Sequence, residues 1–422
     1  MATSVQDMSR PGEDIDLYYY DGETSKKQAF PTTQNTKYVQ QFANLTGGSS
    51  VFTIPPNNGI QDIVCEFALP GLTGSSAQLD AIMLPRAWGY ALIKQVSFRY
   101  GGSSQYFMTG EQLLQNALRA QTSRTSADDI TTLGGNYANG LDLSGATQYA
   151  NVVLTLPHNI PSGVGKAHPL PTDLLTQQVQ ITCEIYPPSQ IFALSATAPA
   201  GTAAIVPTSL SSAQFAVQQV MFNNQGDSLA RRVDMSVNAY AQPVRFVQQM
   251  AVLPLGPGAG AANTPTPLVA TGFRSGEVVS LECWLKRTSD GAANPFNWYL
   301  PDSVQMTYAG DVYARYDSRS SPLWNLINSN KAPAFDNIVS TDGGAGNWTQ
   351  ESALSEWVSL PFAQTLVDED SHYILSHGKP ITNGIVNLLV QAPFVANDWE
   401  LHVSYVYNAT LLFSQGTCDY VF

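Results

Sequence analysis

Two short alternating runs, half a chain apart, constrain this sequence more than any other feature. Within Ala91–Gly102, Val96, Phe98 and Tyr100 alternate with Ser97 and Arg99, and a glycine pair ends the run. Val304, Met306 and Tyr308 later alternate with Gln305 and Thr307, and Gly310 ends that run. Val96 and Val304 stand 208 residues apart in a chain of 422, and Trp88 and Trp298 precede the two copies. A period of two closed by glycine is the pattern of a strand with one buried side. Two copies at a half-length spacing predict two related β-domains in tandem.

The rest of the chain carries more of the same signal. Ile63, Cys65, Phe67 and Leu69 alternate with polar residues, as do Val179, Ile181, Cys183 and Ile185, and then Val279, Leu281, Cys283 and Leu285. Further strands are expected at Phe215–Phe222, Val244–Leu253 and Ile385–Val390. In the longest run Leu401, Val403, Tyr405, Tyr407, Ala409, Leu411 and Phe413 take one side, with His402, Ser404, Asn408 and Thr410 on the other. Helices are expected in two places only. Thr109 and Gln112 have the capping-box spacing, with a stripe of Leu113, Leu114, Ala117 and Leu118 behind them. Asp227 can cap a short helix in Gly226–Val237, where the domain break is expected. Thr73–Asp80 reads as a loop, and 122–150, 256–271 and 336–352 as long insertions. Many short strands between turn-rich loops predict an all-β sandwich or jelly-roll architecture rather than alternating βαβ units. The expected divisions are an N-terminal arm over 1–39, which carries Tyr18-Tyr19-Tyr20, a first domain over 40–224 and a second over 225–422.

Charge is scarce: Asp, Glu, Lys and Arg make up 13%, against about 25% in an average soluble protein. Such a neutral surface suits a chain that covers much of its outside with copies of itself, and a secreted β-protein often has the same composition. The net charge of −13 argues against a fold that grips nucleic acid, which needs a basic stripe. The four cysteines form no CxxC, and Cys65, Cys183 and Cys283 fall on apolar sides, so they are expected as buried free thiols. The first residues lack the apolar core of a signal peptide.

No constellation of catalytic residues stands out. Gly256–Gly260 is glycine-rich, yet it misses the dinucleotide fingerprint and reads as a hairpin loop. His372 and His377 lie near Asp368, Glu369 and Asp370, but their spacing selects no metal geometry. No catalytic, cofactor-binding or metal-binding residue is assigned.

Several motifs, in this order, resemble the double jelly-roll major capsid proteins of icosahedral DNA viruses. This group includes nucleocytoplasmic large DNA viruses and virophages and, more distantly, adenovirus and tectivirus-type phages. The motifs are Trp88–Lys94 leading into Val96–Gly102, the helix Gly110–Leu118, Leu170–Leu174 before Val179–Ile185, Gln242–Gln249, Val304–Tyr316, and Val403–Leu411 with Gly416 after it. The resemblance implies two tandem eight-stranded jelly rolls with short helices and long loop insertions. It implies a structural protein without catalysis, whose homotrimers form pseudo-hexameric capsomers in a virion shell assembled inside the host cell. The implied partners are the chain itself, neighbouring capsomers, minor capsid and penton proteins, and an internal membrane at the capsomer base. The insertions would crown the outer tower or lock neighbours. Two other readings stay open on the residues: a tandem β-sandwich module that binds carbohydrate, and a jelly-roll glycoside hydrolase.

Overall fold

A computed structural model of the chain describes residues 35–55, 59–101, 106–119, 130, 132–135, 138–139, 143–156, 170–220, 240–255, 265–271, 277–288, 295–317, 335–340, 348–355, 357–362, 379–381, 385–392 and 399–421. The first half supplies eight main strands: β1 (Asn35–Gln41), β2 (Gly48–Ile54), β3 (Gly59–Leu69), β4 (Ile93–Arg99), β5 (Tyr106–Met108), β6 (Gln148–Val153), β7 (Val179–Ile185) and β8 (Ser212–Val220). They form two antiparallel sheets, β1-β8-β3-β6 and β2-β7-β4-β5. The second half supplies β9 (Tyr240–Pro254), β10 (Thr266–Thr271), β11 (Glu277–Arg287), β12 (Ser303–Tyr308), β13 (Asp311–Asp317), β14 (Val358–Pro361), β15 (Ile385–Gln391) and β16 (Trp399–Ser414), plus a closing β17 (Thr417–Val421). Their sheets run β9-β16-β11-β14 and β10-β15-β12-β13.

Counted within its own half, each set has the order 1-8-3-6 facing 2-7-4-5. That is the double Greek-key winding of a jelly roll, so the chain holds two of them in tandem. The repeated sequence runs occupy the same place in each. Val96 lies on the fourth strand of the first barrel and Val304 on the fourth strand of the second.

Period-two alternation is what fills both cores. Ile63, Cys65 and Phe67 on β3 face Val179, Ile181 and Cys183 on β7, and all six are fully or almost fully buried. Phe52 of one sheet stacks on Phe215 of the other at 4.1 Å and 4°, an arrangement worth about 0.5–1.5 kcal/mol beyond the area it buries. The longest strand, β16, buries Leu401, Val403, Tyr405, Tyr407, Ala409, Leu411 and Phe413 as its alternation requires. All four cysteines are buried free thiols.

Two tight turns explain glycines that end strands. Ala309 and Gly310 have φ of 52° and 92° between β12 and β13, and Gln415 and Gly416 have φ of 51° and 78° between β16 and β17. Two consecutive positive φ values mark the hairpin turn whose twist matches that of the flanking strands.

The structure departs from the expected elements in several places. Residues 76–80 are a helical turn, α1 (Ser76–Asp80), not loop, because Ser75 and Gln78 form a reciprocal capping box. The organising strand starts at Ile93, after a second helical turn, α2 (Trp88–Leu92), entered through Ala87 at φ 56°. The expected helix is α3 (Gly110–Arg119). A fourth, α4 (Thr202–Ile205), lies in the Ala/Thr/Ser/Pro-rich approach to β8. The expected insertions contain regular structure. Gln148–Val153 is β6, Thr266–Thr271 is β10, and Phe335–Ser340 pairs with Trp348–Ser355 as a hairpin. Strand β1 begins inside the stretch expected to be an arm and pairs along its whole length with β8. Val279 leaves the core face because a bulge between Val278 and Ser280 turns it outward, where it clusters with Val247 and Val406. Tyr18–Tyr20, Gly226–Val237, Gly256–Gly260 and the His372/His377 loop lie outside the described residues.

Candidate functional site: the seam between the barrels

Among the described residues, a dense polar arrangement lies where the first barrel meets the second. Helix α3 follows β5, and its sequence explains both its start and its position. Thr109 Oγ1 accepts from the Gln112 amide at 3.3 Å while the Thr109 amide donates to Gln112 Oε1 at 2.8 Å, which closes the capping box. Leu113, Leu114, Ala117 and Leu118 then seal the helix onto its own barrel. The opposite side of the helix is not left to solvent. Gln112, Gln115 and Asn116 are buried as well, and Glu111 in the first turn reaches the second barrel.

Glu111 is the pin of this seam. Its Oε1 accepts from Trp298 Nε1 at 2.7 Å and from Trp284 Nε1 at 3.3 Å. Lys286 Nζ lies 3.2 Å from both carboxylate oxygens and also donates to the Pro295 carbonyl at 2.8 Å. Trp284 and Trp298 are wholly buried, with ring centroids 6.5 Å apart, and Trp357 packs on Trp298 at 5.5 Å. A carboxylate with two indole donors and an ammonium is a set of charge-assisted hydrogen bonds, each roughly twice as strong as a neutral one.

Further contacts hold the same seam. Tyr106 of β5 donates its hydroxyl to the Val247 carbonyl of β9 at 2.9 Å and packs on Phe246 at 4.1 Å. Tyr420 lies against Tyr106, Phe246 and Tyr100, and burial drives the phenols of Tyr100 and Tyr420 well above their ordinary value. At the β16–β17 turn the Gly416 carbonyl accepts from the Thr176 amide at 2.9 Å and from Thr176 Oγ1 at 3.1 Å.

The outer face of β16 is therefore not the solvent-facing side that its alternation suggests. His402, Ser404 and Val406 are buried there. His402 stacks on Trp284 at 5.7 Å and 27°, and its Nε2 is 3.6 Å from Glu400 Oε2. Burial pulls the imidazole below its ordinary value. Glu111 opposes that shift, Lys286 adds to it, and Glu400 again opposes it.

These residues can fasten and orient. Among the described residues no group of three or more His, Cys, Asp or Glu side chains is placed to hold a metal ion. The sequence reading missed Glu111, Trp284, Lys286 and Trp298 as a unit. One signal was present: Trp284 stands in the polar register of β11, between Glu282 and Lys286, and a tryptophan on the polar side of a strand means that something covers that side.

Two barrels of one winding, joined by a buried seam, can be compared with solved structures. Over 94% of this chain and 99% of the other, the structure superposes on PBCV-1 VP54, fitted into a reconstruction of the virophage Sputnik, with a TM-score of 0.63 at 12% identity. The Faustovirus major capsid protein matches over 92% of each chain with a TM-score of 0.52 at 10% identity. The mavirus major capsid protein matches over 97% of this chain and 95% of its own, with a TM-score of 0.50 at 12% identity. The fold is that of the double jelly-roll capsid proteins. No family model and no curated protein matches the sequence. The likeness takes in both barrels, since it covers nearly the whole of each chain.

Proposed function

We propose that this chain is the major capsid protein of an icosahedral virion. Three copies form a pseudo-hexameric capsomer, and capsomers tile the shell. The observation that carries this reading is the likeness in fold over 94% of the chain to a protein of the PBCV-1 capsid. The seam supports it. A capsomer tile needs its two barrels held in one orientation, and Glu111 with its three donors supplies a directional lock. In this reading the arm at the capsomer base ends where β1 begins at Asn35, the first jelly roll runs from β1 to 224 and the second over 225–422. The arm meets adjoining capsomers, minor capsid and penton proteins or an internal membrane. The net charge of −13 agrees with a shell that does not bind nucleic acid sequence-specifically. The role is structural, without catalysis or a cofactor, and its place is the virion.

Light scattering on the size-exclusion peak of the purified chain tests this. The expected mass is three chains of 45.5 kDa, with hexagonal outlines in negative-stain images. A stable monomer that binds or hydrolyses glycans overturns the capsid reading.

A further inference from the structure

The seam holds one group that fastening alone does not require. His402 sits on the buried face of β16, opposite Trp284 of β11 and Val252 of β9 in the strand register. The charged groups around it come from three elements. Glu400 precedes it on β16, Lys286 and the buried Glu282 stand on β11, and Glu111 reaches over from α3. Its ring lies on the Trp284 indole, and that indole donates to Glu111.

We propose that His402 makes the seam an acid-sensitive joint, so that taking up a proton on its imidazole loosens the packing of α3 and the first barrel against the second. A neutral imidazole is stable when stacked on an indole away from water. An imidazolium there needs hydration or a carboxylate. Glu111 is already engaged by Trp298, Trp284 and Lys286, so a cation at His402 competes with those donors for the pin itself. Lys286, bound to the same carboxylate, repels it. Of the other carboxylates near it, Glu400 stands at 3.6 Å and Glu282 is itself buried. The direction follows from linkage. The folded-state value lies below the ordinary 6.5, so the unfolded chain binds the proton more readily. Stability is full above about pH 7, falls as pH drops through the ordinary histidine range, and stops falling below the folded-state value.

Thermal unfolding of the full chain, followed by tryptophan fluorescence between pH 7.5 and 5.0, tests this on the wild type and His402→Gln. The Tm of the wild type is expected to fall by about 1 °C or more beyond that of the variant, the scale on which one titrating group moves a fold of this size. The same pH dependence in both proteins overturns the proposal. If His402→Gln does not fold, imidazole proton NMR on the wild type and Glu400→Gln decides. His402 is expected to titrate below 6.5, and at lower pH still once the Glu400 carboxylate is gone. Titration at 6.5 or above, or a titration that Glu400→Gln leaves unmoved, overturns the joint. Neither measurement depends on trimer formation, so its failure is separate from failure of the capsid reading.

Discussion

Removing the Glu111 carboxylate is the sharpest perturbation of the seam. In Glu111→Ala the indoles of Trp298 and Trp284 lose the acceptor they share at 2.7 and 3.3 Å, and Lys286 loses its ion pair. Hydrogen bonds to a charged group contribute about 1.5–3 kcal/mol each, and breaking one side of a buried pair costs about 3–5 kcal/mol. Lys286 keeps the Pro295 carbonyl at 2.8 Å, so the two indoles dominate the loss. We expect Glu111→Ala to lower the unfolding free energy by about 3–5 kcal/mol, a range set by those two estimates. Glu111→Gln keeps one oxygen for an indole and loses the charge, so about 1–3 kcal/mol is expected. Guanidinium unfolding monitored by tryptophan fluorescence measures both. Trp298→Phe combined with Glu111→Ala closes a double-mutant cycle, with an expected coupling of about 1 kcal/mol or more. A loss under about 1 kcal/mol for Glu111→Ala, or a coupling near zero, would show that this carboxylate does not hold the barrels together.

Glycine substitutions at the two tight turns separate strain from contact. Gly310 has open space around it, so Gly310→Ala meets only the left-handed backbone and should cost about 1 kcal/mol. A Cβ on Gly416 would lie 2.4 Å from Thr176 Cγ2, so Gly416→Ala should cost about 2–4 kcal/mol, the excess measuring the contact across the seam; equal losses in urea unfolding would refute that. The thiols give a chemical test: burial raises Cys65, Cys283 and Cys418 above the ordinary cysteine value, which suppresses the reactive thiolate. All four are also buried away from solvent, so iodoacetamide at pH 8 should label none of them in the folded chain and all four in guanidinium, as read by intact mass; labelling of the native chain would refute their burial.

What was legible in the sequence is what strand periodicity encodes. Val96 and Val304 identified equivalent strands because each repeat must bury one face of the same fourth strand. The buried thiols and α3 were legible for similarly local reasons: Cys65 and Cys183 sit in apolar registers, and Thr109 and Gln112 complete a cap. The misses came from short-range geometry and from coverage. Ser75 and Gln78 have the same cap spacing as Thr109 and Gln112, yet only one short turn follows them, too little for an apolar stripe. The bulge that turns Val279 outward is a backbone event that alternation cannot display. The burial of the polar side of β16 was not legible because a strand records its own two faces, not which of them another domain will cover.

That last miss shows how the two barrels differ despite a shared winding. On the third strand of the first barrel the outward residues Asp62, Val64 and Glu66 stay half-buried. On the third strand of the second barrel the outward residues Glu282 and Trp284 are buried, and Lys286 is half-buried. An apolar patch alone would bring those surfaces together without choosing an angle, because the hydrophobic effect is non-directional. The small Val247–Val279–Val406 cluster is a patch of that kind. The Glu111 carboxylate supplies what the patch lacks. Its partners come from two separate places on the second barrel, Trp284 and Lys286 on β11 and Trp298 on the approach to β12, so all three bonds can be made at one relative orientation. Exchanging Glu111 and Lys286 for apolar residues, a change that is often neutral for an isolated buried ion pair, would here leave two indole N–H groups without their shared acceptor. The charge in the seam therefore acts as a register mark, and it sets the angle at which the two windings meet.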